Sequence, residues 1–292
     1  MSHLDHTDPL AGLTARPVAE LTAAECAAAM ERCFEGYIVP VRVTAESWER
    51  RFRGEHLDGY ASRVYYAGDR PAAVLFITRR GWTSRVGGMA VARELRGAGV
   101  GRRVMQSAID DARARGDHAL LLEVIEQNTP AVKLYDALGF QVVRRLVGWR
   151  WTPPADAAPS ADALREVDPA EVARIAVIEG EAELPWMLAP ETLFAATPPA
   201  RAFALEDHAY AVLSNPDAET VSVPALVVPR AHRRQGWGTR MLRALAAAFP
   251  GRAFQVVAIV PEELAPEFFV HAGCERASIT QFDMRLELIS RT

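Results

Sequence analysis

Two short glycine-rich stretches carry the residue types and spacing that could bind an anionic ligand. The first is Arg96–Gly101 and the second is Arg233–Gly238, about 137 residues further along, and both read Arg-x-x-Gly-x-Gly. Each follows an apolar run typical of a buried strand and precedes a segment with helical periodicity. Such a turn exposes backbone N–H groups at the positive end of the helix dipole, and glycine lets a ligand approach them closely. The pattern predicts two phosphate or pyrophosphate sites, while ordinary tight turns remain the alternative.

A second chemical feature is a single carboxylate inside an apolar segment. Glu123 is the only acidic residue in the run 119–125, which is otherwise apolar on both faces and typical of a buried strand. Burying a lone carboxylate is costly and raises its pKa toward the range of a useful general base. The alternatives are a carboxylate at the strand end that faces solvent or pairs with an arginine.

Length, composition and charge limit the classes of protein that these residues could serve. The 292 residues suit two domains, and the formal net charge of −4 argues against nucleic acid as the main partner. No apolar run reaches the length of a membrane span, and nothing resembles a signal peptide. Cys26, Cys33 and Cys274 show neither a disulfide framework nor metal-ligand spacing. We therefore expect a cytoplasmic protein with reduced thiols, no metal and no membrane partner.

The segments around the first glycine stretch predict the elements that position it. Apolar spacing and N-cap residues indicate two helices, followed by a three-stranded meander that leads into the turn. Gly87-Gly88, within the third strand, predicts a bulge or a splay. After the turn we expect a helix, a strand, a helix and a final strand. The elements named by position are the helices 23–34 and 44–52, the strands 62–67, 72–78, 84–91, 119–125 and 141–151, and a helix from Thr129.

These residues together resemble the Gcn5-related N-acetyltransferase (GNAT) family over roughly residues 13–151. The resemblance rests on Arg96–Gly101 after Val91 and, more specifically, on the segment Asn128…Ala131…Leu134-Tyr135…Gly139-Phe140. It implies an α/β fold with a mixed, mostly antiparallel twisted sheet, flanked by helices and splayed at the central strand. It also implies acetyl-CoA as co-substrate and direct attack by a primary amine of a small molecule or peptide in a ternary complex.

The resemblance also implies roles for individual residues. Tyr135 would be the general acid for the CoA thiolate, since a phenol is protonated at neutral pH. Glu123 would be the base, because its spacing from Tyr135 resembles the ribosomal-protein alanine acetyltransferases; deprotonation through water is the alternative. Without the family resemblance, Tyr135 reads as a core aromatic and Asn128 as a helix N-cap. The implied CoA-binding positions are Met89, Ala90, Val91, Arg96, Gly97, Ala98, Gly99, Val100, Gly101, Arg102 and Asn128.

The acceptor pocket should involve the two early helices and the loop between them. For each wall residue, ordinary surface exposure or packing is the competing interpretation, and nothing in the sequence names the amine. The wall candidates are Tyr37, Trp48, Arg51, His56, Asp58 and Tyr60.

The second half repeats the order of elements from its third strand onward, a strand that we expect over 220–228, but not the reactive residues. We place a first domain at 1–152, a proline- and alanine-rich linker at 153–162 and a second domain at 163–292. Aligning Gly273 with Gly139 puts Phe269 opposite Tyr135, and Val257 and Glu262 opposite Glu123 and Asn128. The positions retained for CoA are Val228, Arg233, Gly236 and Gly238.

The role of the second half stays open at this point. It could complete the acceptor site, hold a homodimer, or use His271 or Tyr210 as substitute catalysts. The tandem layout is similar to mycothiol synthase, in which the second domain is the active one, whereas the motif here favours the first. The alternative for the whole chain is an acyl-CoA-binding regulatory module without turnover.

Overall fold

The computed structural model describes residues 10–153, 163–181 and 183–289. These residues form two compact units. The first runs to Val143 and includes the chain from Asp283 onward, while the second runs from Arg144 to Phe282. The predicted linker at 153–162 lies outside the described residues except for Pro153. Among the residues described, no helix is long and apolar enough to cross a membrane, and no three His, Cys, Asp or Glu side chains cluster as metal ligands.

The helices of the first unit begin where the sequence places their caps. Thr22 and Thr44 each accept a hydrogen bond from the backbone N–H three residues later, which satisfies a donor that the first turn leaves unpaired. Asn128 caps the last helix in the same way, with Pro130 in its first turn. The helices are α1 (Ala23–Cys33), α2 (Ala45–Gly54), α3 (Val100–Ala114) and α4 (Thr129–Asp136).

The sheet of the first unit is antiparallel except at one pair of strands. Its strands lie in sequence order, and the pair β4–β5 is parallel. The end of the chain returns beside β5, where the Leu288 N–H donates to the His118 carbonyl at 2.9 Å. The strands are β1 (Thr14–Pro17), β2 (Arg63–Ala67), β3 (Arg70–Arg80), β4 (Thr83–Val91) and β5 (Ala119–Ile125).

The two faces of this sheet are covered by different helices. On one face α1 and α2 bury Cys26, Met30, Trp48 and Phe52 against the strands. The apolar stripe of α3, which includes Val104, is also buried, as its helical spacing predicts. The sequence prediction of a mixed sheet flanked by helices is confirmed.

Strand β4 leaves β5 halfway along its length, which confirms the predicted splay. The parallel pairing runs from Thr83 opposite Ala119 to Val86 opposite Leu122 and goes no further. The pairing of β4 with β3 shifts register between Val86 and Gly88, which makes Gly87 the bulged residue. A Cβ on Gly87 would lie 3.3 Å from both the Arg85 guanidinium and the Glu55 carboxylate, so a side chain here would press on the pair that these two groups form.

The second unit contains a four-stranded sheet and part of a second sheet. The first has the order β11-β9-β8-β7, and β6 lies between β13 and β12 in the other, where β10 pairs with β12. The strands are β6 (Gln141–Trp151), β7 (Arg165–Val167), β8 (Arg201–Leu205), β9 (Ala209–Leu213), β10 (Thr220–Ser222), β11 (Ala225–Val227), β12 (Ala253–Pro261) and β13 (Glu275–Glu287). The helices are α5 (Pro169–Glu179), α6 (Pro190–Phe194), α7 (Trp237–Ala248) and α8 (Pro266–His271).

The single strand predicted over 220–228 is wrong, because the chain breaks there into β10 and β11. The first piece pairs in parallel with β12 and the second pairs antiparallel with β9, in different sheets. Pro224 lies between them and has no N–H to donate to a ladder. The second unit therefore splays at the position corresponding to Gly87-Gly88, with a proline instead of a glycine bulge.

Candidate active site

The glycine turn of the first unit presents a row of unused backbone donors. Gly97 and Gly99 have φ of +81° and +83°, in the left-handed region that favours glycine. Gly99 is the N-cap residue of α3 and makes no side-chain cap. Among the described residues, none accepts a hydrogen bond from the N–H groups of 97–102, and Arg102 is exposed beside them. This is the arrangement that binds a phosphate at a helix N-terminus.

The Arg96 side chain, expected to contact CoA, is hydrogen-bonded to the protein instead. Its Nε donates to the Val91 carbonyl at 2.9 Å, and its Nη2 donates to the carbonyls of Cys33 and Glu35 at 3.0 and 2.7 Å. The guanidinium therefore ties the turn to the end of β4 and to the chain after α1. This side chain holds the turn in shape, since its three hydrogen bonds all go to carbonyls of the protein.

The free edge of β4 supplies the next set of polar groups. Ala92 donates to Ala72 of the β3 side at 2.8 Å, so the alternation of an antiparallel ladder directs the main chain of Ala90 toward β3 as well. The main-chain groups of Met89 and Val91 then face the gap that β5 leaves, and of these the Val91 carbonyl already accepts from Arg96. Of the three residues expected to pair with pantetheine, Met89 and Val91 have the required direction and Ala90 does not.

The turn, the strand edge and α4 meet at one place. A Cβ on Gly101 would lie 3.7 Å from Leu134 and Val91 and 3.9 Å from Met89, all as ordinary contacts. The start of α3 thus packs directly against the end of β4 and against the helix that carries Tyr135. The sequence predictions for these three segments therefore refer to one cleft.

Tyr135 lies buried beside this cleft. Its ring packs edge-on against Phe140 with centroids 5.9 Å apart, and burial raises its pKa, with a further contribution from nearby Tyr37. Tyr37 itself hydrogen-bonds with the Asn128 side chain, and Asn128 Oδ1 also accepts from the Ala131 N–H at 3.4 Å. The phenol of Tyr135 is therefore held in its protonated form, as a proton donor must be, and Asn128 serves as a helix cap.

Glu123 is paired with an arginine, one of the alternatives that its sequence context left open. Arg85 Nε and Nη2 lie 2.6 Å from Glu123 Oε2, and Arg85 Nη1 donates to Glu55 Oε2 at 2.6 Å. Arg51 bonds the other Glu55 oxygen at 2.7 Å and donates to the Gly87 carbonyl at 3.1 Å. The side chains of Glu55, Arg85 and Glu123 are at most 7% exposed, so two acids and one arginine are buried at the bulge, and the 43% exposed Arg51 joins them from the surface.

The sequence analysis did not identify Glu55 or Arg85. A signal was present, because Arg85 is the one charged residue in the strand 84–91 and Glu123 is the one in 119–125. Opposite charges in two apolar strands predict a pair if the strands are neighbours. The register places Arg85 opposite Leu121, and the two strands separate just before Glu123.

The six acceptor-wall candidates fall into different environments. Trp48 is buried in the core against Phe52 and Phe76, and it lies with His56 along a small pocket beside α2. Asp58 pairs with Arg79 at 3.1 Å. His56 Nδ1 accepts from Arg80 at 2.9 Å, while Tyr60 is 78% exposed. Tyr37 and Arg51 contact the residues of the cleft.

The second unit repeats the turn but not the reactive side chains. Gly236 has φ of +85°, and Arg234 takes the left-handed conformation that Gly97 has in the first unit. Arg233 Nε donates to the Val228 carbonyl at 3.0 Å, which parallels the Arg96 bond to Val91. Within the described part of the chain, the N–H groups of 234–239 have no acceptor. The geometry that exposes backbone donors is therefore present twice.

Comparison with known proteins agrees with this geometry. Residues 26–140 match the sequence model described as the acetyltransferase (GNAT) family. This part of the chain is similar to that family, whose members carry out acyl-CoA-dependent acetyl transfer. A comparison with curated protein sequences found no match.

Solved structures extend the likeness in fold to nearly the whole chain. A GCN5-related N-acetyltransferase from Sphaerobacter thermophilus aligns with a TM-score of 0.70 at 18% identity, covering 97% of each chain. A tandem GNAT protein from the clavulanic acid biosynthesis pathway aligns with a TM-score of 0.68 at 19% identity, covering 96% of this chain and all of its own. A third, from Kribbella flavida, has a TM-score of 0.58 at 18% identity and covers 94% of this chain and 72% of its own. At these identities the likeness concerns the fold.

Proposed function

We propose that the first unit is an acetyl-CoA-dependent N-acetyltransferase that acts on a primary amine of a small molecule or peptide. The observation that carries the proposal is the single cleft in which the free amides of 97–102, the β4 edge at Met89 and Val91, and the buried phenol of Tyr135 lie together. The amides bind the pyrophosphate, the strand edge holds the pantetheine arm, and the splay leaves room for the thioester between β4 and β5.

The reaction proceeds by direct attack of the amine on the thioester carbonyl. The new C–N bond forms as the C–S bond breaks, and Tyr135 gives its proton to the departing thiolate. Burial, which raises the pKa of Tyr135, keeps that proton in place until the sulfur needs it. A Met89 or Val91 backbone N–H that faces the cleft is suited to stabilise the carbonyl oxygen as it gains charge.

We assign the acceptor's proton to Glu123, whose carboxylate lies where β4 and β5 separate. Arg85 holds one of its oxygens in place, and this fixes the direction of the carboxylate. Transfer of the proton to water is the alternative. Glu123→Gln distinguishes them: a loss of turnover of about 10²-fold or more supports the carboxylate, and unchanged turnover on a true acceptor supports water.

Tyr135→Phe tests the assignment of the acid. The phenyl ring keeps the packing against Phe140 but has no proton to give, so turnover falls by about 10²–10⁴-fold while acetyl-CoA affinity stays nearly unchanged. Calorimetric titration with acetyl-CoA gives the affinity, and free-thiol release across an amine panel gives the turnover.

The same screen separates the enzyme from an acyl-CoA-binding module without turnover. An enzyme releases thiol only in the presence of some amine, and Tyr135→Phe abolishes the release. Tight binding of acetyl-CoA with no release from a broad panel of amines and peptides would instead support the module.

A further inference from the structure

The second unit contains a large cavity that the proposed reaction does not use. Its volume is about 870 Å³, toward the upper end of the ~300–1,000 Å³ typical of small-molecule sites. Trp149, Leu193 and Phe254 are each more than nine-tenths buried in its wall. The side chains that form the apolar part of the wall include Trp149, Leu188, Leu193, Phe254, Leu264 and Phe269.

One end of the cavity is the second glycine turn. Arg233, Gly236 and Gly238 line it, next to the backbone N–H groups that have no acceptor among the described residues. The arginines at this end already pair with carboxylates, Arg233 with Glu181 at 2.7 Å and Arg234 with Glu267 at 3.3 Å, so the backbone N–H groups are the donors left for an anion. An anion-binding end is therefore continuous with an apolar interior.

The positions that align with the acid and base of the first unit hold apolar side chains here, although His271 and Cys274 also line the cavity. Phe269 occupies the position of Tyr135 and stacks on Trp149, with centroids 4.7 Å apart and planes 3° from parallel. Val257, which takes the position of Glu123, is 50% exposed. A thioester bound here meets an aromatic wall where the first unit has a proton donor.

We propose that the second unit binds a fatty acyl-CoA, with its pyrophosphate on the turn Arg233–Gly238 and its alkyl chain in the apolar cavity, and holds it without transferring the acyl group. An acetyl group would leave most of this wall exposed to water. A longer alkyl chain covers it, and each buried methylene tightens binding by about fourfold. The inference rests on the proposed function only in that both turns bind CoA.

The test requires proteins in which only one of the two glycine turns can bind CoA. Aspartate tolerates the left-handed conformation and repels a pyrophosphate, so Gly99→Asp silences the first turn and Gly236→Asp the second. In full-length Gly99→Asp protein, calorimetry with acetyl-CoA, octanoyl-CoA and dodecanoyl-CoA measures the second turn alone. Octanoyl-CoA should bind at least about a hundredfold more tightly than acetyl-CoA.

Two substitutions at one wall position guard against a folding artefact. In the Gly99→Asp background, Leu188→Trp narrows the cavity and should shift the preference to shorter chains, while Leu188→Ala widens it and should shift the preference to longer ones. Both proteins are checked by thermal unfolding. Opposite shifts cannot come from a general loss of structure.

The outcomes separate this inference from the proposed function. It is overturned if affinity in the Gly99→Asp protein is independent of chain length, if no thioester binds that protein, or if Gly236→Asp leaves chain-length-dependent binding intact. Acetyl transfer is measured separately in the Gly236→Asp protein. Failure of that protein to release thiol would contradict the proposed function but would not affect the inference of a fatty acyl site.

Discussion

At the scale of single residues, a buried arginine joins the two acidic side chains of the splayed cleft. Arg85 bridges Glu55 and Glu123, and Arg51 completes the balance of charge. Burial alone would raise the pKa of the Glu55 carboxyl, but Arg51 and Arg85 outweigh it and the pKa is lowered in the folded protein. Sequence reasoning identified Glu123 because it is the one charged residue in an apolar strand. Its partner Arg85 could not be identified without knowing which strands are neighbours. Glu55 was missed because it lies far from both residues in the chain.

Removing Arg85 should strongly destabilise the protein. Arg85→Met leaves Glu55 and Glu123 buried without their shared partner, which costs about 3–5 kcal/mol in the free energy of unfolding. Urea denaturation at pH 7 measures the loss. Arg113→Met is the matched control: it removes an exposed 3.8 Å pair with Asp110 and should cost no more than about 0.5 kcal/mol.

The difference in free energy of unfolding between wild type and Arg85→Met should depend on pH. Because the pKa of Glu55 is lowered on folding, its stabilising contribution is present above the unfolded carboxyl pKa of about 4.3 and is lost as the pH falls through the lower folded value. The stability difference between wild type and Arg85→Met should therefore narrow in acid. A small difference at pH 7, or one that widens in acid, would contradict this account of the network.

At the scale of elements, the first unit was largely predictable from sequence and the second less so. Helices α1, α2 and α4 begin at residues whose side chains cap them, and β5 and β6 have the predicted bounds. The strand predicted over 220–228 failed because Pro224 interrupts it and each half finds a different partner. Propensity marks an apolar run as a strand, but the partner of each half is decided by tertiary packing.

The glycine turn gives a prediction at the same scale. Gly99→Asp should weaken acetyl-CoA binding to the first unit by at least about tenfold, because it places a negative charge at the cradle of free amides. Gly81→Asp is the control, since Gly81 also has a positive φ, of +55°, and open space around its Cβ, but lies at the opposite end of β4. Calorimetry in the Gly236→Asp background measures both; equal effects of the two substitutions would mean that strain, not the cradle, is responsible.

At the scale of the whole molecule, the chain contains two units with the same turn and different chemistry. The first combines free amides, a splayed strand edge and a buried phenol, whereas the second combines free amides with an apolar cavity. The loss of Tyr135 and Glu123 equivalents could be read from the sequence by aligning the halves. The cavity could not, because its wall comes from separate stretches of chain, within 149–151, 176–193, 223–242 and 254–274, whose side chains meet only after folding.

The most direct test of the central claim is a crystal structure of the protein with coenzyme A. The account predicts the pyrophosphate on the N–H groups of 97–102, the pantetheine along Met89 and Val91, and the sulfur within hydrogen-bond distance of the Tyr135 hydroxyl. A nucleotide absent from the first turn of fully saturated protein, or a Tyr135 hydroxyl turned away from the sulfur, would contradict it.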